Sequence, residues 1–156
     1  ENFESFAKWG HLILQDFNEI DRYLADGVSL YSNLKDIKEI ENWSLSQEEL
    51  SDFQKNYINF MGKLGAIYTH YSTKLLKQGK SYQGLSYRCA VKNFESSEYL
   101  KKYHRFLFCG FNALNAAETL IFSKLCKAGI AEMIWDSDKY YLESPIQEAA
   151  LFLRSN

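Results

Sequence analysis

The sequence predicts a mainly α-helical fold with a small β part. Apolar residues recur at three- and four-residue steps through most of residues 1–103, which is the spacing of one helix face. Two short apolar runs closer to the C-terminus flank a further helical pattern and predict a strand-helix-strand unit with parallel strands. Aromatic residues make up 16% of the chain, which supplies apolar area for a core and argues against disorder.

One or two helices are predicted over residues 3–24. Their expected core-facing residues are Phe3, Phe6, Ala7, Leu12, Leu14, Phe17, Ile20, Tyr23 and Leu24. We expect Asp26-Gly27 to close this unit, and residues 28–40 to form a shorter helix or a turn followed by a helix. Helices are therefore expected in succession from the N-terminus.

Residues 46–79 carry the longest periodic pattern. Ser46 and Glu49 have the spacing of a capping box, in which two side chains satisfy free amide groups at a helix start. The apolar residues that follow are Leu50, Phe53, Tyr57, Phe60, Leu64, Ile67, Tyr71 and Leu75. This predicts a long amphipathic helix reaching Gly79, then a helix over residues 81–91 and a turn around Ser96-Ser97.

Residues 104–110 form a nearly unbroken apolar run, which is typical of a strand covered on both faces of a parallel sheet. Asn115 and Glu118 have capping-box spacing and predict the start of the next helix, and Gly129 is expected to end it. Residues 130–135 are the second predicted strand. Pro145 fits the first position of a last helix that ends near Arg154.

Asp136 and Asp138 are predicted to follow the carboxyl end of the second strand, where ligands gather in open α/β sheets. They could chelate a divalent cation. Turn chemistry, in which Asp side chains accept hydrogen bonds from nearby backbone amides, is the favoured interpretation.

Two blocks of this region resemble motifs of a known family. Residues 106–112, Phe-Leu-Phe-Cys-Gly-Phe-Asn, and residues 134–141, Ile-Trp-Asp-Ser-Asp-Lys-Tyr-Tyr, are similar to the second and third motifs of UvrD-like superfamily 1 helicases. Active members have three apolar residues followed by Asp-Glu-x-Gln-Asp in the first block, and Gly-Asp-x-x-Gln-x-Ile-Tyr in the second. Asp136 and Tyr141 match the second block.

The departures from these motifs resemble the degenerate motor half of AddB-type helicase-nucleases, which also carry a PD-(D/E)XK nuclease. Cys109 and Gly110 stand where the magnesium-ligating Asp and water-activating Glu would be, and Asn112 and Lys139 replace the two Gln residues. Residues 6–34 resemble the helical insertion of Bacteroidetes-type members. The resemblance implies a fragment of a P-loop-type motor domain, with residues 1–103 as the insertion-like part and residues 104–156 as the β-α-β part.

No Gly-x-x-x-x-Gly-Lys-Ser/Thr loop occurs in the sequence, and a Cys-Gly pair cannot replace two carboxylates around magnesium. We therefore expect no ATP hydrolysis and no cofactor in this segment, with ATP and magnesium confined to a parent or partner protein. We also expect no catalytic residue and no metal site. An enzyme acting through Cys109 or Asp136 is the least supported interpretation.

A patch of basic and aromatic residues is the best candidate for DNA contact. It comprises Lys101, Lys102, Arg105, Lys139 and Tyr140, with Lys92, Tyr99, Tyr103, His104 and Tyr141 nearby. Basic side chains neutralise phosphates and aromatic rings stack on single-strand bases. The formal net charge of −2 gives no overall attraction to a polyanion, so such contact depends on a local patch or on neighbouring domains.

The other candidate polar residues are expected to have surface, helix-capping or structural roles and no catalytic role. Surface or helix-capping positions are expected for Asp16, Glu19, Asp21 and Glu41, and structural roles for His11, His70 and His104. A buried thiol is favoured at Cys109, because its neighbours are apolar. Three widely separated cysteines favour a reducing cytosol over a disulfide framework.

Two functional hypotheses follow. The first is a non-catalytic, structural and DNA-handling segment of a helicase-nuclease-like protein that processes double-strand breaks. In this hypothesis residues 1–156 are a single compact unit excised from a longer cytoplasmic chain. Its partners would be other domains of that chain, a helicase subunit and single-stranded DNA, with no membrane. The second is a stand-alone helical protein-interaction module.

Overall fold

The computed structural model describes residues 3–45, 51–111 and 113–155 of the chain. In chain order the elements are α1 Phe3–Arg22, α2 Gly27–Leu45, α3 Asp52–Lys77, α4 Gln83–Lys92, β1 Phe106–Cys109, α5 Ala116–Lys127, β2 Ala131–Ile134, α6 Lys139–Glu143 and α7 Leu151–Ser155. Short 3-10 turns lie at Leu100–Lys102 and Glu148–Ala150. The mainly helical fold with a small parallel sheet is confirmed.

The chain divides into two compact units, Glu1–Ser86 and Tyr87–Asn156. The boundary between the two units lies nearer the N-terminus than the boundary between residues 103 and 104 that was predicted from the sequence. Whether the chain acts as one compact unit stays a prediction. Among the described residues, none of the helices combines the length and hydrophobicity needed to cross a bilayer.

The core of the first unit is aromatic. Phe17 is 1% exposed, and its ring meets the ring of Tyr68 edge-on at a centroid distance of 5.2 Å. Ile20, Tyr31 and Leu64 complete the buried cluster, to which α1, α2 and α3 all contribute. The Phe17 ring therefore contacts an aromatic ring of α2, Tyr31, as well as Tyr68 of α3, and so joins α1 to both helices.

The expected core faces of α1 and α3 are partly wrong. Six apolar residues of the predicted α1 face are exposed, namely Phe3, Phe6, Ala7, Leu12, Leu14 and Tyr23. On α3, Phe53, Tyr57 and Ile67 are exposed, whereas Gly65, Tyr68 and Ser72 are buried. The buried faces include small and polar residues. A helix face predicted from the apolar residues alone therefore differs from the face that is buried.

The ends of the first helices are fixed by local hydrogen bonds. Leu24 has a φ of 57°, and the amide of Ala25 donates to the carbonyl of Ile20, as in a Schellman motif. Asp26 accepts hydrogen bonds from the amides of Val28 and Ser29 and so caps α2. It therefore opens the second helix as well as following the first.

The long helix α3 begins later than the sequence indicated. Ser51 caps it, and the side chains of Ser51 and Gln54 form a reciprocal capping box. The box predicted at Ser46–Glu49 lies outside the described residues, as does Leu50. The predicted end is confirmed, because Gly79 follows the C-cap with a φ of 67°.

In the second unit, β1 and β2 pair in parallel, with Phe106 opposite Ala131 and Cys109 opposite Ile134. Helix α5 connects them, as predicted for a strand-helix-strand unit. The stacked rings of Phe108 and Phe122, 4.0 Å apart, fix α5 against the sheet. This parallel pairing was the central structural prediction from the sequence.

The expectation that β1 is covered on both faces is wrong. Phe106 and Phe108 are half-buried, whereas Leu107 is 56% exposed and Cys109 is also exposed. Strand residues alternate between faces, so one face of β1 packs in the unit and the other is open. Leu107 is apolar but exposed, and the apolar composition of the strand gave no indication of this exposure.

The C-terminal segment also differs from the prediction. A short helix, α6, forms directly after Asp138, although the sequence pattern gave no sign of it. Pro145 lies outside any helix, and regular helix begins only at Leu151 after a 3-10 turn. The last helix is therefore shorter than expected, although it includes Arg154 as predicted.

Candidate functional site

A shallow pocket of about 300 Å³ lies at the carboxyl ends of β1 and β2. It is lined by Gly110, Phe111, Asp136, Ser137, Asp138, Tyr141, Ala150 and Leu153. Three of the motif positions singled out from the sequence, Gly110, Asp136 and Tyr141, thus come together. Their convergence follows from the parallel pairing, because both strands then end at the same edge of the sheet.

The first wall of this pocket follows β1. Gly110 has a φ of 76°, a left-handed conformation that glycine adopts without strain. Cys109, the residue before it, is exposed. The prediction of a buried thiol is therefore wrong, because the Cys109 side chain falls on the open face of the strand. Asn112 lies outside the described residues.

The second wall follows β2. Oδ1 of Asp138 accepts a 2.7 Å hydrogen bond from the amide of Tyr140 and caps α6. This confirms turn chemistry at Asp138. Within the described residues, no group of three or more His, Cys, Asp or Glu side chains is placed to hold a metal ion.

Arg154 organises the backbone behind the pocket. Its guanidinium donates to the carbonyl oxygens of Tyr141, Ser144 and Gln147 at 2.8, 2.9 and 2.7 Å. Three charge-assisted bonds from one planar group fix the chain between α6 and α7. Sequence reasoning missed this role, because the acceptors are backbone groups and leave no signature in the side chains.

Backbone amides at the start of α5 donate hydrogen bonds to side chains of the helix and of its N-cap residue. Asn115 accepts from the amide of Glu118 at 2.9 Å, and Glu118 accepts from the amide of Asn115 at 3.0 Å. The hydroxyl of Tyr87 also donates to Glu118 at 3.0 Å. The predicted capping box is confirmed, and it places a carboxylate where an anionic ligand would otherwise meet the helix dipole.

The predicted DNA patch is divided between the two ends of the sheet. Lys101, Lys102 and Arg105 precede β1, whereas Lys139 and Tyr140 follow β2. Because the strands are parallel, these two groups lie at opposite strand ends. A β-strand rises about 3.3 Å per residue, so the four-residue strands between the groups span roughly 13 Å.

Three cations of this patch are paired with glutamates. Lys101 lies 2.6 Å from Glu98, Lys139 lies 3.6 Å from Glu143, and Arg105 pairs with Glu132. Lys102 lies 6.0 Å from the centroid of the Tyr99 ring. Contact of these residues with DNA stays a prediction, and such contact would compete with the pairs.

The neighbouring tyrosines Tyr99 and Tyr103 are in contact, with ring centroids 5.2 Å apart. A hydrogen bond with Tyr99 raises the pKa of the exposed Tyr103 hydroxyl above its usual value.

One carboxylate departs from its expected role. Asp21 was assigned a surface or capping position, yet it is 0% exposed. The hydroxyls of Tyr68 and Tyr82 donate to its two oxygens at 2.6 and 2.5 Å. The charged form is thereby satisfied inside the core.

The remaining sequence candidates lie apart from the pocket. Glu19 is on the surface and pairs with Arg22 at 2.8 Å, and Asp16 is exposed. Glu41 lies in a part of α2 whose side chains are not described. The exposed residues His11, His70 and His104 are on separate elements.

No protein-family model matches the chain, and no curated protein or solved structure is significantly similar to it.

Proposed function

We propose that the chain is a non-catalytic, structural and DNA-handling segment of a helicase-nuclease-like DNA-repair protein in the cytoplasm. The single observation that carries this proposal is the parallel β1-α5-β2 unit with Cys109-Gly110 at the end of β1. In an active motor of the family that the sequence resembles, two carboxylates would occupy those positions, beside Asp136 and Tyr141.

The chemistry of this edge supports a role without catalysis. A thiol and a glycine provide no hard oxygen ligand for magnesium and no group that orients an attacking water. At the start of α5, the carboxylate of Glu118 accepts a hydrogen bond from the amide of Asn115. A phosphate approaching this helix would meet a negative charge.

In this proposal, the β-α-β unit is a scaffold for other domains of the same longer chain. ATP and magnesium act in a partner helicase subunit, and the segment contacts the DNA strand that the partner moves. Double-strand break processing is the activity of the whole assembly.

The test measures hydrolysis and DNA binding on the same purified chain. With magnesium-ATP, in the presence and absence of a single-stranded oligonucleotide, we expect no phosphate release above a buffer blank. A fluorescent oligothymidine should bind, with affinity falling steeply as salt rises. Hydrolysis that Asp136→Asn abolishes would overturn the non-catalytic part, and absence of binding at low salt would overturn the DNA-handling part.

A protein-interaction module is the second candidate, and the open face of the sheet favours it. Leu107, Cys109 and Ile134 are exposed on this face, although parallel sheets are usually covered on both sides. Maleimide labelling of Cys109 should be rapid in the isolated chain and slow when a protein partner is bound. Equal labelling rates of Cys109 with and without the bound partner would count against this candidate.

A further inference from the structure

The basic side chains of α3 lie on one face of the helix. They are Lys55, Lys63, His70, Lys74 and Lys77, all exposed. Asp52, in the first turn, is the acidic residue of this helix. With 3.6 residues per turn, the five basic positions fall within an arc of roughly 100°. This face lies opposite the buried residues Leu64 and Tyr68.

A groove of about 900 Å³ lies between α2 and α3, and Lys63 and His70 of the basic face are among its lining residues. Its lining comprises Val28, Tyr31, Ser32, Lys35, Asn59, Gly62, Lys63, Gly65, Ala66, Thr69, His70 and Thr73. None of these lining residues is acidic. Lys63 and Lys35 give the groove positive charge, while Ser32, Asn59 and Thr73 add neutral hydrogen-bonding groups, which are common phosphate contacts in protein–DNA complexes.

Small residues give the groove its depth. A Cβ atom at Gly62 would lie 3.2 Å from Cδ of Lys35, so the glycine lets the Lys35 side chain cross the floor of the groove. Ala66 and Thr73 continue the same side of α3 at helical spacing. The result is a cleft with an accessible floor and basic rims.

The cations of α3 also differ from the DNA patch read from the sequence. Lys101, Arg105 and Lys139 each pair with a glutamate. Within residues 3–45, 51–111 and 113–155, no carboxylate forms an ion pair with Lys63 or Lys74. A phosphate can therefore approach these two lysines without displacing a partner.

We propose that the α2–α3 groove and the basic face of α3 bind the sugar-phosphate backbone of single-stranded nucleic acid, without sequence preference. This inference rests on the proposed DNA-handling function and assigns that contact to α3. The axes of packed helices lie only about 8–10 Å apart, so a groove along the line where two helices meet is narrower than a duplex and suits one strand better. Positively charged grooves that follow the backbone are the common means of binding single strands.

Two other kinds of partner, an anionic membrane surface and a helix of another protein, fit the groove less well. An anionic membrane surface would require a row of bulky apolar side chains beside the lysines, whereas Gly62, Ala66 and Thr73 occupy that position. A partner helix would need apolar pockets for its anchor residues, and Val28 is the large apolar side chain exposed in the lining.

The experiment compares three double variants with equal changes in charge. The groove variant is Lys63→Glu/Lys74→Glu, the patch variant is Lys101→Glu/Lys102→Glu, and the control is Lys8→Glu/Lys127→Glu. All six lysines are exposed, so the fold should be retained. Circular dichroism checks the fold of each variant. Binding of a fluorescent oligothymidine is then measured by anisotropy over a range of salt concentrations.

We expect the groove variant to bind at least tenfold more weakly than the control at low salt. Because single-strand binding loses about 0.7 in log–log salt slope per phosphate contact, removing two contacts should reduce the slope by about 1.4. A matched duplex should bind more weakly than the single strand. Ala66→Glu, which places a carboxylate in the groove, should also weaken binding.

Three outcomes would overturn the groove assignment. Binding lost in the patch variant and kept in the groove variant would move the contact to the second unit and leave the DNA-handling proposal intact. Binding by the unmodified chain to anionic vesicles but to no oligonucleotide would favour a membrane surface. No binding to any single strand at low salt would remove the groove inference together with DNA handling.

Discussion

The hydroxyl of Tyr68 donates a 2.6 Å hydrogen bond to Asp21, a carboxylate that is 0% exposed. The Tyr82 hydroxyl donates to the second oxygen of the same group at 2.5 Å. A carboxylate removed from water is costly unless hydrogen bonds replace its hydration. The two phenols provide that replacement and connect α1 to α3 and to the chain before α4.

Removing either phenol hydroxyl should destabilise the first unit. Tyr68→Phe and Tyr82→Phe each leave one oxygen of Asp21 without that donor, and hydrogen bonds to charged groups contribute about 1.5–3 kcal/mol. We expect losses of this size in the free energy of unfolding from urea titrations. The matched control is Tyr31→Phe, which removes a hydroxyl from the same core without breaking a bond. Equal effects of all three substitutions would contradict this account of Asp21.

Tyr31→Phe should stabilise the protein. The Tyr31 hydroxyl is buried and has no hydrogen-bond partner among the described residues, while its ring packs edge-on against Phe17. A buried hydroxyl without a partner costs about 1–3 kcal/mol, and phenylalanine keeps the ring contact. We expect a gain of about 1 kcal/mol by urea unfolding. A loss of stability would indicate that the hydroxyl bonds to a group outside the described residues.

The same residue should limit stability at alkaline pH. Burial, followed by the nearby charge of Asp16, raises the pKa of Tyr31 from its usual value of 10.0 to about 12. Below pH 10 the hydroxyl is protonated in both folded and unfolded chains. From about pH 10 to 12 the unfolded chain loses the proton first, so folding stability falls by up to about 1.4 kcal/mol per pH unit.

Unfolding measured across this range should show a steeper alkaline decline in the unmodified chain than in Tyr31→Phe. Asp16→Asn removes the second cause of the raised pKa, so the decline should still start near pH 10 but end slightly below pH 12. If Tyr31→Phe and the unmodified chain lost stability in parallel, other groups would be responsible.

The sequence predicted features that depend on neighbouring residues. The Asn115–Glu118 capping box and the parallel pairing of β1 with β2 follow from short spacings and a compact connection. The pocket at the carboxyl strand ends follows from that pairing. The strand pairing also joins residues far apart in sequence, such as Phe106 and Ala131, but the compact connection predicts it without knowledge of any side-chain contact.

The burial of Asp21 could not be read in the same way. Its phenol partners lie 47 and 61 positions away in the sequence, and carboxylates in general prefer the surface. The Arg105–Glu132 pair likewise joins residues 27 positions apart. Only tertiary structure reveals that a basic residue of the predicted DNA patch already has an acidic neighbour.

Helix ends provide a test of backbone strain. Leu24 and Gly79 follow α1 and α3 with φ values of 57° and 67°. Leucine is strained in this left-handed region and glycine is not. Gly79→Ala should therefore cost about 1 kcal/mol, although a Cβ there would meet no atom within 4 Å. Leu24→Gly should recover a similar amount, reduced by the loss of a half-buried side chain. A harmless Gly79→Ala would argue against the left-handed conformation.

Two helical glycines should respond in opposite directions to alanine. A Cβ at Gly84 would lie 2.1 Å from the carbonyl oxygen of Asn18 and 3.1 Å from Cβ of Asp21. The amide of Gly84 also donates a 2.7 Å hydrogen bond to Oδ1 of Asn18, so α4 cannot move away without breaking it. Gly84→Ala should cost about 3 kcal/mol or more, since overpacking against backbone cannot be relieved by a rotamer change.

Gly62→Ala is the matched control for this substitution. Its added Cβ would lie 3.2 Å from the flexible Lys35 side chain, which can shift. Alanine also favours helix over glycine by about 1 kcal/mol at an interior position, so stability should rise slightly. Urea unfolding of both variants measures the difference. Similar effects at the two positions would mean that backbone proximity between Gly84 and Asn18 does not determine how α1 and α4 pack.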